Sequence, residues 1–175
     1  MNSIIITGAT SGIGYECALQ MAKMATKEQI ILPARNMQKG NEIVNLIKKK
    51  TGHKNIKCLE LDLASLKSIR QFSEIFNKEK YNTISVLINN AGLQNIGKTE
   101  YTKDKFEVTF GTNHIGPFAL TQLLLPHMVN DGIITFTSSE THNPALKTPI
   151  EPPVFTTVNE LAFPKETSEK ISVIG

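Results

Sequence analysis

Short apolar, β-branched runs recur along the chain, and between them apolar residues return every three or four positions. The runs predict strands over Ser3–Thr7, Gln29–Leu32, Asn55–Glu60, Ser85–Asn89 and Gly132–Thr137. Ile13, Cys17 and Met21 mark one helical face, Ile43 and Ile47 a second, and Leu66, Ile69, Phe72 and Phe76 a third. Strands alternating with helices in this way describe repeated βα units around a parallel sheet, an α/β fold. A long fourth helix is predicted over Asp104–Val129, with Pro117 in its interior. Proline has no N–H to give the carbonyl of Asn113, so that carbonyl must find another partner, such as water.

The texture changes after Thr141. Pro144, Pro149, Pro152, Pro153 and Pro164 are five of the eight prolines, which reads as loop rather than sheet. Residues 167–175 are too short and too little patterned to assign. A chain of 175 residues, 40% hydrophobic, is long enough for one packed domain, expected over 1–175 with a core over 1–141 and a proline-rich loop and tail over 142–175.

The net charge of +3 is small and its basic residues are scattered, which excludes a nucleic-acid stripe. The exception, Lys48–Lys50, precedes Thr51-Gly52, where cations favour a helix C-terminus. Cys17 and Cys58 lack C-x-x-C spacing and read as small core residues, not a disulfide framework. His53, His114, His127 and His142 have no ligand spacing, so no metal is expected. Met1 leads straight into a strand without a basic leader, and no apolar run approaches membrane-spanning length; the expectation is a soluble, cytoplasmic protein without a membrane span.

In "IIITGATSGIGYE", Gly8, Gly12 and Gly14 stand directly between the first strand and the first helix. Glycines let a backbone turn tightly and approach a pyrophosphate, while the N–H groups and positive end of the helix hold its charge. Three glycines at a strand-to-helix junction argue against an ordinary tight turn; a free-floating G-x-G-x-x-G would carry little weight.

T-G-x-x-x-G-I-G at Thr7–Gly14, "LINNAG" at Leu87–Gly92 and "TNHIGPF" at Thr112–Phe118 resemble the short-chain dehydrogenase/reductases in order and spacing. The resemblance runs from Asn2 to about Thr141, and "SSETHNPALKTPI" is similar to the retinol-dehydrogenase and protochlorophyllide-reductase-like branch. It implies a Rossmann-type doubly wound parallel sheet of order 3-2-1-4-5, incomplete at its C-terminal side, binding a nicotinamide dinucleotide at the carboxyl ends of its strands. By the same resemblance, Thr7, Gly8, Thr10, Ser11, Gly12, Ile13 and Gly14 form the cofactor turn. Asp62 accepts from the adenine amino group, with the Leu63 backbone completing the contact, or else caps the helix opening near Ser65. Asn90, Ala91 and Gly92 pass under the cofactor, and Asn89 ties the central strands together.

At the end of the second strand an NAD site needs an acid for the ribose hydroxyls, and Ala34 stands there instead. Arg35 follows it, and a guanidinium forks well onto a 2′-phosphate, so NADP(H) is expected over NAD(H), although Ser11 supplies no second positive charge.

The chemistry implied is hydride transfer between NADP(H) and a small-molecule alcohol or carbonyl. Ser139, with Ser138 as fallback, matches the serine that hydrogen-bonds the substrate oxygen, and Asn113 matches the asparagine whose carbonyl holds a relay water. The proton partner, Tyr-x-x-x-Lys after the fifth strand, is not found: Tyr15, Tyr81 and Tyr101 all precede Ser139. Tyr101 and Lys105 have the spacing, but they lie before Asn113 and map to a surface segment. Loss of a general acid costs about 100- to 10,000-fold, and loss of the substrate wall costs orientation besides. The expectation is therefore a chain cut before the Tyr-Lys helix and silent by itself, associating with itself or with a complementing C-terminal half through an open fifth strand and an apolar helix face of Ile115, Leu123 and Leu124. A non-catalytic nucleotide-binding or regulatory module, and the product of an interrupted gene, are the competing readings.

Overall fold

Five strands, β1 (Asn2–Ile6), β2 (Gln29–Ala34), β3 (Ile56–Glu60), β4 (Thr83–Asn89) and β5 (Met128–Phe136), form one sheet. Every neighbouring pair is parallel and the order is β3-β2-β1-β4-β5, the Rossmann-like arrangement expected. The computed structural model describes residues 1–25, 27–78, 83–95, 98–140, 143, 145 and 156–164. Tyr81, Thr141, His142 and most of the proline-rich segment lie outside these.

Successive side chains of a strand point to opposite faces, and the alternation divides the core in two. Ile4, Ile6, Ile30, Leu32, Ile56 and Cys58 pack under α1 (Gly12–Met24) and α2 (Met37–Thr51). On the other face Ile5, Ile31, Ile84 and Leu87 pack under α3 (Leu66–Lys78) and α5 (Gly116–Leu124). α2 stops where the lysine triplet suggested: Lys48–Lys50 fill its last turn, and Gly52, at φ 75°, donates its N–H to the Lys48 carbonyl at 2.8 Å.

The face of α1 is turned from its expected setting. Gly14, Ala18 and Ala22, at four-residue spacing, lie against the sheet and let the helix approach closely, whereas Ile13 is 76% exposed.

The long fourth helix also differs. Residues 101–107 form a turn, with Lys105 at φ 67° and a bridge between Tyr101 and Glu107. Asp104 does not open the helix; its Oδ2 accepts the Leu66 N–H at 2.8 Å and so caps α3. The helix begins as α4 (Val108–Phe110), opens into a π turn at Gly111–Ile115, and continues as α5. In the π turn the Gly116 N–H reaches five residues back to the Gly111 carbonyl. The wider ring places Pro117 in the first turn of α5, a position that proline's fixed φ suits. A 3₁₀ turn, Leu125–His127, then leads directly into β5, which starts four residues before the expected Gly132.

β5 is the outermost strand of the described sheet. Ile133 and Phe136 are 56% and 55% exposed, and on the α1 side a groove of about 350 Å³ runs between Met21, Met24, Val86 and Ile133, near the N-terminal ends of the strands. Leu124, expected on the open face of the fourth helix, is instead buried against the sheet, and the outer face carries Phe118, Leu123 and Leu125.

Within the segment expected to be loop and tail, Val158–Ala162 forms a short helix, α6, opened by a capping box between Thr157 and Glu160. It docks on the 101–107 turn: the Glu107 N–H donates to the Ala162 carbonyl at 3.0 Å, the Tyr101 hydroxyl to the Pro164 carbonyl at 2.9 Å, and the Phe106 and Phe163 rings lie 5.1 Å apart. Among the described residues no helix is long and apolar enough to cross a membrane.

Candidate functional site

The turn from β1 to α1 places its glycines by necessity. Gly8 and Gly12, at φ 69° and 56°, occupy the left-handed region that other residues enter only at a cost. A Cβ on Gly8 would stand 2.7 Å from the Ala91 Cα, and a Cβ on Gly14 would stand 2.4 Å from both the Gly8 carbonyl oxygen and the Asn90 Nδ2. Gly12 is different, with nothing within 4 Å of where its Cβ would lie. Ser11, Gly12 and Ile13 are exposed and Thr10 is half-buried. Ser11 stands at the N-cap of α1 without a side-chain cap bond, and the first turn holds no acid, so the helix presents bare amides and an uncompensated positive end to open space. That cradle fits a diphosphate: it offers donors, positive potential and room for close approach.

The floor of the turn is set by Thr7, which is 1% exposed. Its Oγ1 accepts the Asn90 and Ala91 N–H groups, each at 3.0 Å, and donates to the Ile88 carbonyl at 3.3 Å. Asn90 returns its Nδ2 to the Thr7 carbonyl at 3.1 Å, and the Thr137 hydroxyl lies 3.5 Å from Asn90 Oδ1. One hydroxyl and one amide thus bind together the carboxyl ends of β1, β4 and β5.

The far side of the Asn90–Gly92 loop is braced by Asn113. Its Oδ1 accepts the Leu93 N–H and its Nδ2 donates to the Leu93 carbonyl, both at 2.8 Å. The π turn carries Asn113, so the interruption of the helix and the delivery of this side chain occur at one place. Asn89 does not tie strand to strand: its Nδ2 donates to the Thr121 hydroxyl at 3.2 Å, joining β4 to α5. Among the described residues, Asn89 Oδ1 and Thr112 Oγ1 are buried without a hydrogen-bond partner.

Arg35 is exposed directly after Ala34, which is buried at the end of β2, and the Asn36 side chain caps α2 by accepting the Lys39 N–H at 3.0 Å. Asp62 is half-buried, and its Oδ1 takes the Ala64 N–H at 3.1 Å; the first turn of α3 is capped by Asp104 together with Ser65, whose Oγ accepts the Ser68 N–H at 3.3 Å. Leu63 is buried in the core, and its carbonyl oxygen would lie 2.4 Å from a Cβ on Gly116, so only glycine lets α5 sit there. Ser138 and Ser139 are exposed just beyond β5, beside the end of β4, where the Thr137 N–H still pairs with the Asn89 carbonyl at 2.9 Å.

Tyr101 and Lys105 share no helix face. Tyr101 is tied to Pro164 and Lys105 sits in the left-handed corner of the turn, so the pair is no Tyr-x-x-x-Lys site. Tyr15, on α1, accepts from Lys50 Nζ at 3.0 Å, and that bond raises the ammonium's pKa. Burial likewise pushes the Cys17 and Cys58 thiols up, away from the reactive thiolate.

Sequence reasoning missed Glu107, whose buried carboxylate accepts the Thr109 and Phe110 N–H groups at 2.9 and 2.7 Å and opens the helix. No S/T/D/N stands there to signal a cap. It also missed α6, although "TVNE" at Thr157–Glu160 has capping-box spacing.

The two glycine environments lead to different costs. Gly14→Ala is expected to lower unfolding stability by about 3 kcal/mol, through overpacking against Gly8 and Asn90. Gly12→Ala, in open space, is expected to cost about 1 kcal/mol of backbone strain. Urea denaturation of both variants checks the order, and the reverse order would contradict the geometry of the turn.

A short chain dehydrogenase family model matches residues 2–148. The chain is 40% identical over 128 residues to human polyprenol dehydrogenase, covering 73% of this chain and 38% of that protein. It is 42% identical over 124 residues to human retinol dehydrogenase 13, covering 70% of this chain and 36% of that protein. It thus spans little more than a third of the length of these relatives. Among solved structures, a short chain dehydrogenase from Salmonella enterica serovar Typhi aligns with TM-score 0.68 at 28% identity, over 83% of this chain and 60% of that one. A Shigella flexneri protein assigned as a short chain dehydrogenase and complexed with NADP aligns with TM-score 0.67 at 27% identity, over 83% and 62%. With the sheet order and the glycine turn already in place, these matches identify the chain as a member of the short-chain dehydrogenase family of oxidoreductases, in its retinol-dehydrogenase branch.

Proposed function

We propose that the chain binds NADP(H) in preference to NAD(H), as the cofactor-holding part of an oxidoreductase acting on an alcohol or carbonyl substrate. The observation that carries this reading is the open, acid-free amide cradle at Ser11–Ile13, set beside an exposed Arg35 that follows a buried alanine where an acid would serve NAD. The Shigella flexneri relative solved with NADP supports it. In this reading the cradle and α1 hold the diphosphate, Arg35 takes the 2′-phosphate, Asp62 and Leu63 meet the adenine, and Asn90–Gly92 form the floor. When bound, the nicotinamide supplies the hydride donor or acceptor. Ser139 holds the substrate oxygen by a hydrogen bond, and Asn113 keeps the floor in place while its backbone carbonyl holds a water.

By the same reading the 175-residue chain does not turn over on its own. No tyrosine follows Ser139, and Tyr101 and Lys105 are committed to the turn that docks α6. Nucleotide binding without turnover is therefore the second reading, favoured by the same two residues. The exposed β5 edge and the groove beside Ile133 support association, with a second copy or with a separately supplied C-terminal half. Two unpaired cysteines, Cys17 and Cys58, fit a reducing, cytoplasmic setting.

Two measurements check these statements. Titrated by fluorescence, the native chain is expected to bind NADPH about 10- to 100-fold more tightly than NADH, and Arg35→Ala to bring the two near parity by weakening NADPH alone. Equal binding of both by the native chain would overturn the cofactor preference. Size-exclusion chromatography with light scattering is expected to show association at micromolar concentration; a stable monomer throughout would remove the association reading.

A further inference from the structure

The buried Glu107 lies outside the residues assigned to the site, yet it caps the start of the helix that carries Asn113. Its side chain is 6% exposed, and both carboxylate oxygens accept backbone N–H groups of α4, those of Thr109 and Phe110. Its own carbonyl accepts the Gly111 N–H at 2.7 Å, and its N–H is held by the Ala162 carbonyl of α6. Burying a carboxylate is costly unless hydrogen bonds satisfy it, so this residue fixes the helix start far more narrowly than a solvated cap would. The next turn is the π turn, whose first residue, Gly111, is pressed against the same corner: a Cβ there would lie 2.8 Å from the Thr102 Cγ2 and 3.1 Å from the Phe106 Cβ. Two residues later Asn113 clasps both backbone groups of Leu93 at 2.8 Å, and Leu93 adjoins the loop that Thr7 holds from the other side.

We propose that Glu107 is a positioning residue for the dinucleotide site, acting through Asn113. The carboxylate sets the phase of the helix at its start, and the π turn converts that phase into the position of Asn113. The paired bonds to Leu93 then hold Asn90–Gly92 at the height the cofactor requires. This rests on the dinucleotide reading proposed above.

The variants are Glu107→Gln, which keeps volume but sets an amide donor against one of the two N–H groups, Asn113→Ala, and the double variant. Ile47→Val, in the α2 core on the opposite face of the sheet, serves as the stability control. Two readouts are taken well below the melting temperature: NADPH dissociation constants, and the exchange rate of the Leu93 amide in the ligand-free chain. Glu107→Gln is expected to weaken NADPH roughly 5- to 30-fold and to speed Leu93 exchange, while the double variant loses no more than Asn113→Ala alone, because the two act in series. Ile47→Val is expected to lower the melting temperature and leave both readouts unchanged. Unaltered Leu93 exchange in Glu107→Gln, NADPH affinity equal to native, or additive losses in the double variant would each overturn the inference and leave the cofactor reading standing. If the native chain fails to bind NADPH, the cofactor reading falls, and this inference falls with it. Should Glu107→Gln not fold, Asn113→Ala decides alone, since unchanged affinity there removes the path through which Glu107 would act.

Discussion

The hydroxyl of Thr7 is the point on which the functional end of the sheet depends. Buried beneath the glycine turn, it accepts two successive amides of the loop after β4 and donates to the carbonyl before that loop. A side chain of another shape would leave those half-buried amides without their partner, at up to about 1–3 kcal/mol each. The glycines follow from this constraint. With the β4 loop drawn up to β1, Gly8 and Gly14 have no room for a Cβ, and only Gly12 keeps open space above it. The packed strand ends thus leave the backbone amides at the start of α1 exposed, the surface proposed to meet the diphosphate.

The helix that starts at Glu107 completes the same construction from the other side. A regular helix would have met Pro117 in its interior; instead the ladder widens at Gly111–Ile115, and Pro117 falls in the first turn of α5. The widened turn also carries Asn113 to the loop that Thr7 holds. Bracing from both sides leaves Asn90–Gly92 little freedom, as the proposed role of cofactor floor requires.

Much of this was legible from residue pattern. Ile4, Ile5 and Ile6 announce a strand buried in the sheet, and three glycines at its end announce a tight strand-to-helix turn, because both signals come from sterics over a few adjacent residues. Tyr101 and Lys105 were rightly set aside, since a Tyr-x-x-x-Lys pair needs a helix and Lys105 stands in a left-handed corner. What escaped was decided by groups distant in sequence. Asp104 caps a helix that begins 38 residues earlier, and Asn89 answers to Thr121 on a neighbouring helix. Glu107 is a cap of a type that propensity ranks low, and it works there because α6 covers it. The exposure of Ile13 arose from competition between faces: Gly14, Ala18 and Ala22 let α1 lie closer to the sheet than a face led by isoleucine would.

The central claim is that the bare amides of Ser11, Gly12 and Ile13 receive the diphosphate of a nicotinamide dinucleotide. Amide-resolved NMR of the ¹⁵N-labelled chain during titration with NADPH tests it most directly. The expected result is a saturable shift of the Ser11, Gly12 and Ile13 amides, reproduced at those amides by inorganic pyrophosphate at higher concentration. Saturation with NADPH that leaves these three amides unmoved, with the perturbation centred on the groove beside Met21 and Ile133 or elsewhere, would contradict it.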